Sequence, residues 1–205
     1  MILIAHRGDP RHAPENTIAS FRQAAARGAG AVEMDLRRRP DGDWVIFHDR
    51  LPKPMNGPVL RLPEALAFCR RRRLEVYLDV KDPRGESSLA RLIRSSRWMG
   101  HTTLLAGGLP TLRRWRRIFP RQPLFWVTGS REPVTPRKIA QARRLRLNGF
   151  VSYRRWVTRA SVERVHRAGL QLFVWTVRTA ADLKRFARSG VDGIMSEVWP
   201  PPRSI

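Results

Sequence analysis

Two short stretches of the chain carry charges where an alternating strand would gather them on one face. In Ala31-Val32-Glu33-Met34-Asp35-Leu36 the period of two sends Val32, Met34 and Leu36 one way and Glu33 and Asp35 the other. In Val76-Tyr77-Leu78-Asp79-Val80-Lys81 the same alternation separates Val76, Leu78 and Val80 from Tyr77, Asp79 and Lys81. Three carboxylates crowded into a partly dry space repel one another unless something cationic lies among them. Three oxygen donors with open positions suit a hard divalent cation, Mg²⁺ or Ca²⁺. Two histidines join this set, each closing an apolar run: His6 after Ile2 to Ala5, followed by Arg7-Gly8, and His48 after Trp44 to Phe47, followed by Asp49. Singly, each has a plain structural explanation: a histidine satisfied at a strand end, a buried ion-pair partner for Glu33, a snorkelling side chain for Lys81. Their coincidence at strand ends does not. His12 falls in a loop, His101 before a strand and His166 on a helix, and these three are expected to be structural or exposed.

The elements that must position these groups alternate along the chain. Strand-like runs fall at 2–5, 31–36, 44–47, 76–80, 102–106, 123–127, 149–152, 171–175 and 192–196, and helical spacing at 16–27, 63–70, 88–97, 110–118, 136–146, 158–168 and 179–188. Thr158 and Ser161 mark a helix start, and Gly28, Gly169 and Gly190 lie just past helix ends. The run at 44–47 follows 31–36 after only Pro40 to Asp43, too short for a parallel crossover, so these two should pair as a hairpin-like extension. Eight helix-separated strands remain. That number favours a closed barrel over an open doubly wound sheet, and no G-x-G-x-x-G follows the first strand to suggest dinucleotide binding. In such a barrel His6 and His48 would lie at the strand C-terminal mouth, where barrel active sites are built. The final Glu197-Val-Trp-Pro-Pro-Pro cannot begin a normal helix, so the last helix should be missing or reduced. No linker or low-complexity segment divides the chain, and a single domain over 1–205 is expected.

Composition bounds the alternatives. With 42% hydrophobic residues in 205, the chain can build one sizeable core, which excludes disorder throughout. Its longest apolar runs fall far short of the roughly 20 residues that span a bilayer. No secretory signal is read at the N-terminus, and the single cysteine, Cys69, excludes an internal disulfide, so a cytoplasmic location is expected. The net charge of +23 raises the question of nucleic acid or anionic membrane. Only Lys53, Lys81, Lys138 and Lys184 are lysines, however, so arginine supplies nearly all of the positive charge, which fits a compositional bias on a solvated surface. Nucleic acid is not expected as a partner, and the basic exterior should add no more than weak association with anionic membrane. Of the 17 acids, 12 lie between Asp9 and Glu86, where carboxylates must have specific work. The densest basic runs are Arg37 to Arg39, Arg70 to Arg73 and Arg113-Arg114-Trp115-Arg116-Arg117, the last on a helix where it could meet a phosphate-rich surface.

Taken in order, His6-Arg7-Gly8, Pro14-Glu15-Asn16-Thr17, Glu33-Met-Asp35, Asp41-Gly42, His48-Asp49, Asp79-Val-Lys81, Trp175-Thr176-Val177 and Asp192-Gly193-Ile194 resemble the glycerophosphodiester phosphodiesterases over nearly the whole chain. The resemblance implies a TIM-type (β/α)8 barrel and a divalent metal held by Glu33, Asp35 and Asp79. It also implies His6 and His48 as the acid-base pair, Arg7 and Lys81 as phosphate contacts, and a small-molecule phosphodiester as substrate. His6 is assigned as base and His48 as acid, and Trp175 either packs on the glycerol or head group or simply fills the barrel. Three departures stand out. Asp79 replaces the family's usual Glu, Arg178 follows the Trp-Thr-Val motif where Asn is common, and only Arg50 to Leu62 fills the place of a sizeable insertion over the mouth. A mouth without that cap should tolerate many head groups. Two other functions compete: cleavage of phospholipids or lysophospholipids by internal transfer to a cyclic phosphate, and a non-catalytic basic binding module. The intact histidines and carboxylates argue against the second.

Overall fold

The computed structural model describes residues 1–52, 59–199 and 201. Among these residues nine strands alternate with seven helices: β1 (Ile2–His6), α1 (Ile18–Ala26), β2 (Ala31–Arg38), β3 (Trp44–Ile46), α2 (Leu62–Arg72), β4 (Glu75–Val80), α3 (Glu86–Ser95), β5 (Thr102–Ala106), α4 (Leu109–Ile118), β6 (Leu124–Val127), α5 (Pro136–Arg144), β7 (Gly149–Tyr153), α6 (Arg159–Arg167), β8 (Gln171–Val177), α7 (Ala180–Ala187) and β9 (Gly193–Ser196). Each was legible as a period-two or helical stretch. Eight strands are parallel, and β1 closes the barrel by pairing with both β9 and β2. The ninth, β3, lies antiparallel on β2 with Leu36 opposite Ile46 and Arg38 opposite Trp44. It takes over the edge of β2 where β1 ends, so the β2–β3 hairpin carries His48 up beside the mouth.

Threonine caps set several of the helix starts. Thr17, Thr135 and Thr179 each accept a hydrogen bond from the backbone N–H three residues on, and Thr158 forms a reciprocal capping box with Ser161. After β9 the described residues 197–199 and 201 are not helical; the rest of the segment where the last helix was expected to be missing or reduced, residues 200 and 202–205, lies outside the described residues. The expected shortening between Arg50 and Leu62 falls partly on 53–58, which also lie outside the described residues.

Alternation divides the core in two. Outward residues such as Val32, Leu78, Leu104 and Val174 meet the helices, whereas Ile4, Ala31, Tyr77, Leu105, Phe125, Val151, Phe173 and Met195, one from each barrel strand, fill the interior. Phe173 is the centre of that plug, with ring centroids 4.6 Å from Phe125 and 5.9 Å from Tyr77. Gly193 makes room for it, since a Cβ there would lie 2.8 Å from the Phe173 ring. The barrel is therefore a floor beneath the mouth rather than a pore.

One run of charges behaves differently from its expectation. Trp115 in Arg113–Arg117 is fully buried, and Arg116 donates to the carbonyls of Phe119, Pro120, Gln122, Leu145 and Arg146. Arg114 pairs with Glu86 at 2.8 Å. The central arginines of this run tie loops together instead of presenting a phosphate-binding face, a role that only the tertiary fold could reveal.

Candidate active site

The mouth is assembled from the C-terminal ends of β1, β2 and β4 and from the β2–β3 hairpin. At β1 the chain turns inward on His6, then leaves the strand through two left-handed residues, Arg7 (φ 56°) and Gly8 (φ 85°). A Cβ at position 8 would lie 2.3 Å from Ser20 Oγ and within 3 Å of the α1 backbone, so glycine is required there. This turn aims the Arg7 backbone N–H at Glu33 Oε2, 3.1 Å away. Parallel pairing then sets His6 beside Glu33, and Asp35 beside Asp79. Carboxylate oxygens of Glu33, Asp35 and Asp79 all lie within 4.8 Å of one another.

Although Glu33 and Asp35 look alike in sequence, their surroundings differ. Asp35 is ringed by cations and a donor: Lys81 Nζ and Arg7 Nε each lie 2.9 Å away as ion pairs, the latter not aligned as a hydrogen bond, and Asn16 Nδ2 donates at 2.9 Å, while its own N–H donates to Asn16 Oδ1. Burial alone would raise its carboxyl, but Lys81 and Arg7 hold it below the usual range. Glu33 has no such cation against it. Burial, then the charges of Asp35 and Asp79, push its carboxyl well above the ordinary value. Lys81 bridges Asp35 and Asp79, the cation between carboxylates that their crowding demands, and these two partners outweigh burial to raise its ammonium. Arg7 is further braced by Glu15 at 2.9 Å.

A divalent cation fits this donor set. Glu33 is a buried carboxylate whose charged form is left under-stabilised by the protein itself, and the other two oxygens needed for a hard ion stand within the same 4.8 Å. Glu33, Asp35 and Asp79 are the residues that would hold it.

The two histidines occupy contrasting positions. The His6 side chain is 8% exposed, with Nε2 4.0 Å from Glu33 Oε2 and 3.3 Å from Thr176 Oγ1. Its Nδ1 lies 3.3 Å from Glu197 Oε1, close but not aligned as a hydrogen bond. Burial lowers its pKa and Glu197 opposes the shift, leaving a predominantly neutral imidazole near pH 7. The His48 side chain is 40% exposed; its Nδ1 contacts Asp49 Oδ1 at 2.8 Å, and Arg37 donates twice to its carbonyl, at 2.9 and 3.2 Å.

Glu197, Thr176, Asn16 and Arg37 were not assigned functional roles from sequence. Glu197 continues the inward alternation of Met195 past the end of β9 and is gripped by Arg178 at 3.0 Å. Burial would raise its carboxyl, but contacts with His6 and Arg178 bring it down to about 2. Thr176 reaches His6 because β8 carries one extra residue between Val174 and Val177 relative to β9, which breaks the alternation there. The signal for Arg178 was its departure from the expected asparagine. Asp192, quoted with the last motif, accepts from the Leu172 N–H at 2.7 Å and contacts His166 at 2.8 Å, away from the mouth. His12 and His101 likewise contact Asp9 and Glu75 and take no part in the mouth.

These groups line a cavity of about 390 Å³. His6, Arg7, Glu33, Asp35, Asp79 and Lys81 form one side, with His48 at the rim, while Leu105, Val127, Val151 and Trp175 form the other. Trp175 meets Tyr153 edge-on at 5.2 Å, and its buried indole N–H has no hydrogen-bond partner among the described residues.

A model of the glycerophosphoryl diester phosphodiesterase family matches residues 6–82 and 109–198. A glycerophosphodiester phosphodiesterase of Caldanaerobacter subterraneus subsp. tengcongensis is 25% identical over 232 residues, covering 96% of this chain and 93% of the relative. Among solved structures, an Oleispira antarctica phosphodiesterase in complex with the product sn-glycerol-3-phosphate superposes with a TM-score of 0.84 at 19% identity, over 96% of this chain and 93% of that one. The glycerophosphodiester phosphodiesterase of Agrobacterium tumefaciens gives 0.77 at 21% identity, over 96% of each. At these identities the structures speak to the barrel, and the family match runs from the His6 turn through β4 and from α4 past β9, taking in every mouth residue named above except Leu105. The chain belongs to the glycerophosphoryl diester phosphodiesterase family.

Proposed function

We propose that this protein is a metal-dependent phosphodiesterase that hydrolyses glycerophosphodiesters to an alcohol and glycerol 3-phosphate, acting as one domain over residues 1–205. The observation that carries the reading is the meeting of Glu33, Asp35 and Asp79 within 4.8 Å in the same mouth as His6 and His48. A divalent ion at these carboxylates, Mg²⁺ or Ca²⁺, supplies Lewis-acid stabilisation of charge building on the phosphoryl oxygens. Arg7 offers a forked guanidinium to the phosphate, held in place by Asp35 and Glu15. Lys81 adds a second positive charge. His6, buried and kept neutral, takes the proton of the attacking water as its oxygen bonds to phosphorus. His48, at the exposed rim, gives a proton to the departing alkoxide as the phosphorus–oxygen ester bond breaks. Trp175 packs against the organic portion of the substrate on the apolar side. No helix among the described residues is long and apolar enough to cross a membrane. The single buried thiol, Cys69, accords with a reducing, cytoplasmic setting. Any contact with anionic membrane is weak and electrostatic.

Phosphorus NMR of glycerophosphocholine incubated with the metal-stripped protein tests this reading. Addition of Mg²⁺ or Ca²⁺ should produce glycerol 3-phosphate, and chelator should stop it. Full turnover in chelator, or accumulation of a cyclic phosphate as the end product, would overturn it.

A further inference from the structure

Beside the mouth lies a second concavity, a groove of about 550 Å³ that shares the wall at Pro83 with the catalytic cavity. Arg37, Arg38, Arg39, Arg50 and Arg84 line it, and Asp82 is the sole carboxylate on its wall among the described residues. Part of this charge is committed to structure. Arg37 holds the His48 carbonyl and stands 3.8 Å from Asp82, and Arg39 pairs with exposed Asp41 at 3.0 Å. Arg50 and Arg84 make no ion pair among the described residues and are exposed. Five arginines against one acid give the groove a positive balance that favours an anion, and the planar fork of arginine matches phosphate oxygens. Among the described residues no aromatic side chain lines the groove, which leaves no platform there on which a nucleobase could stack.

Its location adds the second half of the argument. Lys81 belongs to the catalytic cavity and Arg84 to the groove, and three residues of chain separate their Cα atoms by at most about 11 Å. A diester gripped by Arg7 and Lys81 can thus extend its alcohol over Pro83 into the groove. Resting on the phosphodiesterase reading above, we infer that the groove is a subsite for a second phosphate carried by the alcohol portion of the substrate. It would give the enzyme a preference for glycerophosphodiesters of phosphorylated alcohols. Of the arginine run at 37–39, which lines the groove, only Arg37 is tied to the catalytic rim, through the His48 carbonyl.

The test compares glycerophosphoinositol with glycerophosphoinositol 4-phosphate at fixed ionic strength, in the wild-type protein and in the Arg39→Gln/Arg84→Gln variant. Neither residue belongs to the catalytic set. The wild type should favour the phosphorylated substrate by about tenfold or more in kcat/KM, the scale of one charge-assisted contact. The variant should lose that preference while keeping its kcat/KM on glycerophosphoinositol within about twofold. Equal use of both substrates by the wild type, or a preference that survives in the variant, overturns the inference. Arg84→Gln alone, with no ion pair to lose, repeats the comparison should the double variant fold poorly, and there the preference should shrink; an unchanged preference again counts against the groove.

Calorimetric titration with inositol 4-phosphate and with inositol separates the two readings. If neither diester is hydrolysed, the phosphodiesterase reading has failed, and the groove then stands only if inositol 4-phosphate binds the wild type alone. Sedimentation with phosphatidylglycerol vesicles is the last arm. Vesicle binding lost in the variant, without any preference between the soluble substrates, would reassign the groove to a membrane surface and overturn the inference.

Discussion

The two sides of the mouth are built on opposite principles. On β1, β2 and β4 the inward side chains at the rim are charged or titratable, and all but Glu33 are held by another side chain: Asp35 by Lys81, Arg7 and Asn16, His6 by Glu197 and Thr176. On β5 to β8 the corresponding positions are Leu105, Val127, Val151 and Trp175, with no charge among them. One side can grip and activate a phosphodiester, while the other offers shape and apolar area. Changes on the charged side should therefore act on turnover, and changes on the apolar side on affinity.

The largest effect is expected at Glu33. Glu33→Gln keeps an acceptor for the Arg7 N–H but removes a ligand charge, and kcat should fall by about 10³-fold or more, several kcal/mol of charge stabilisation. The same variant should be the more stable protein when metal is absent. Because the folded pKa of Glu33 is raised above its ordinary 4.5, its contribution to stability is present below that value and lost as pH rises through the folded pKa. Melting curves of the metal-free proteins should show Glu33→Gln gaining on the wild type as pH rises above that ordinary value. Asp35→Asn should do the reverse: the folded pKa of Asp35 is lowered, so its contribution is present at neutral pH and lost only in acid. Identical melting shifts for the two variants would show that the site does not distinguish them.

Next come the histidines. His6→Ala and His48→Ala should each cost about 10²-fold or more in kcat on a glycerol-alkoxide substrate, the usual scale of a positioned base or acid. With bis(p-nitrophenyl) phosphate, whose leaving group needs little protonation, only His6→Ala should remain severe. Equal losses on both substrates would remove the division of labour assigned here.

A smaller effect is expected at Glu197, which touches His6 rather than substrate. Glu197→Gln should lower kcat by about tenfold with KM little changed, and shift the acidic limb of the kcat pH profile downward, because the carboxylate that favours protonated His6 is gone. A loss confined to stability, with an unmoved pH profile, would make the contact merely structural. Smallest of all is Trp175→Leu on the apolar side, where KM should rise by no more than about tenfold and kcat stay within about twofold. A larger fall in kcat would place Trp175 among the groups that act on the reaction itself.

The sequence was most informative where local rules decide. Glu33, Asp35 and Asp79 could be placed inward because strand alternation is local, and β3 could be placed on β2 because Pro40 to Asp43 allows nothing but a hairpin. What escaped depended on closure of the barrel. Glu197 reaches His6 only because β9 returns to β1, and Thr176 only because β8 bulges at that level. The inequality of Glu33 and Asp35 was equally hidden. It arises from where Lys81 and Arg7 come to rest, and no alternation rule distinguishes two residues on the same face. Arg116 teaches the same lesson away from the site, since the carbonyls it gathers come from loops separated in sequence.

We infer that the three carboxylates hold a divalent cation, with Glu33 deprotonated to receive it. Calorimetric titration of Mg²⁺ and Ca²⁺ into the metal-free protein, in two buffers of different ionisation enthalpy, measures the binding and the accompanying proton release together. The prediction is a single site whose occupation releases protons at the acidic end of the range, tightens as pH rises, and disappears in Glu33→Gln. Binding that is absent from the wild type, or unchanged by Glu33→Gln, would contradict it.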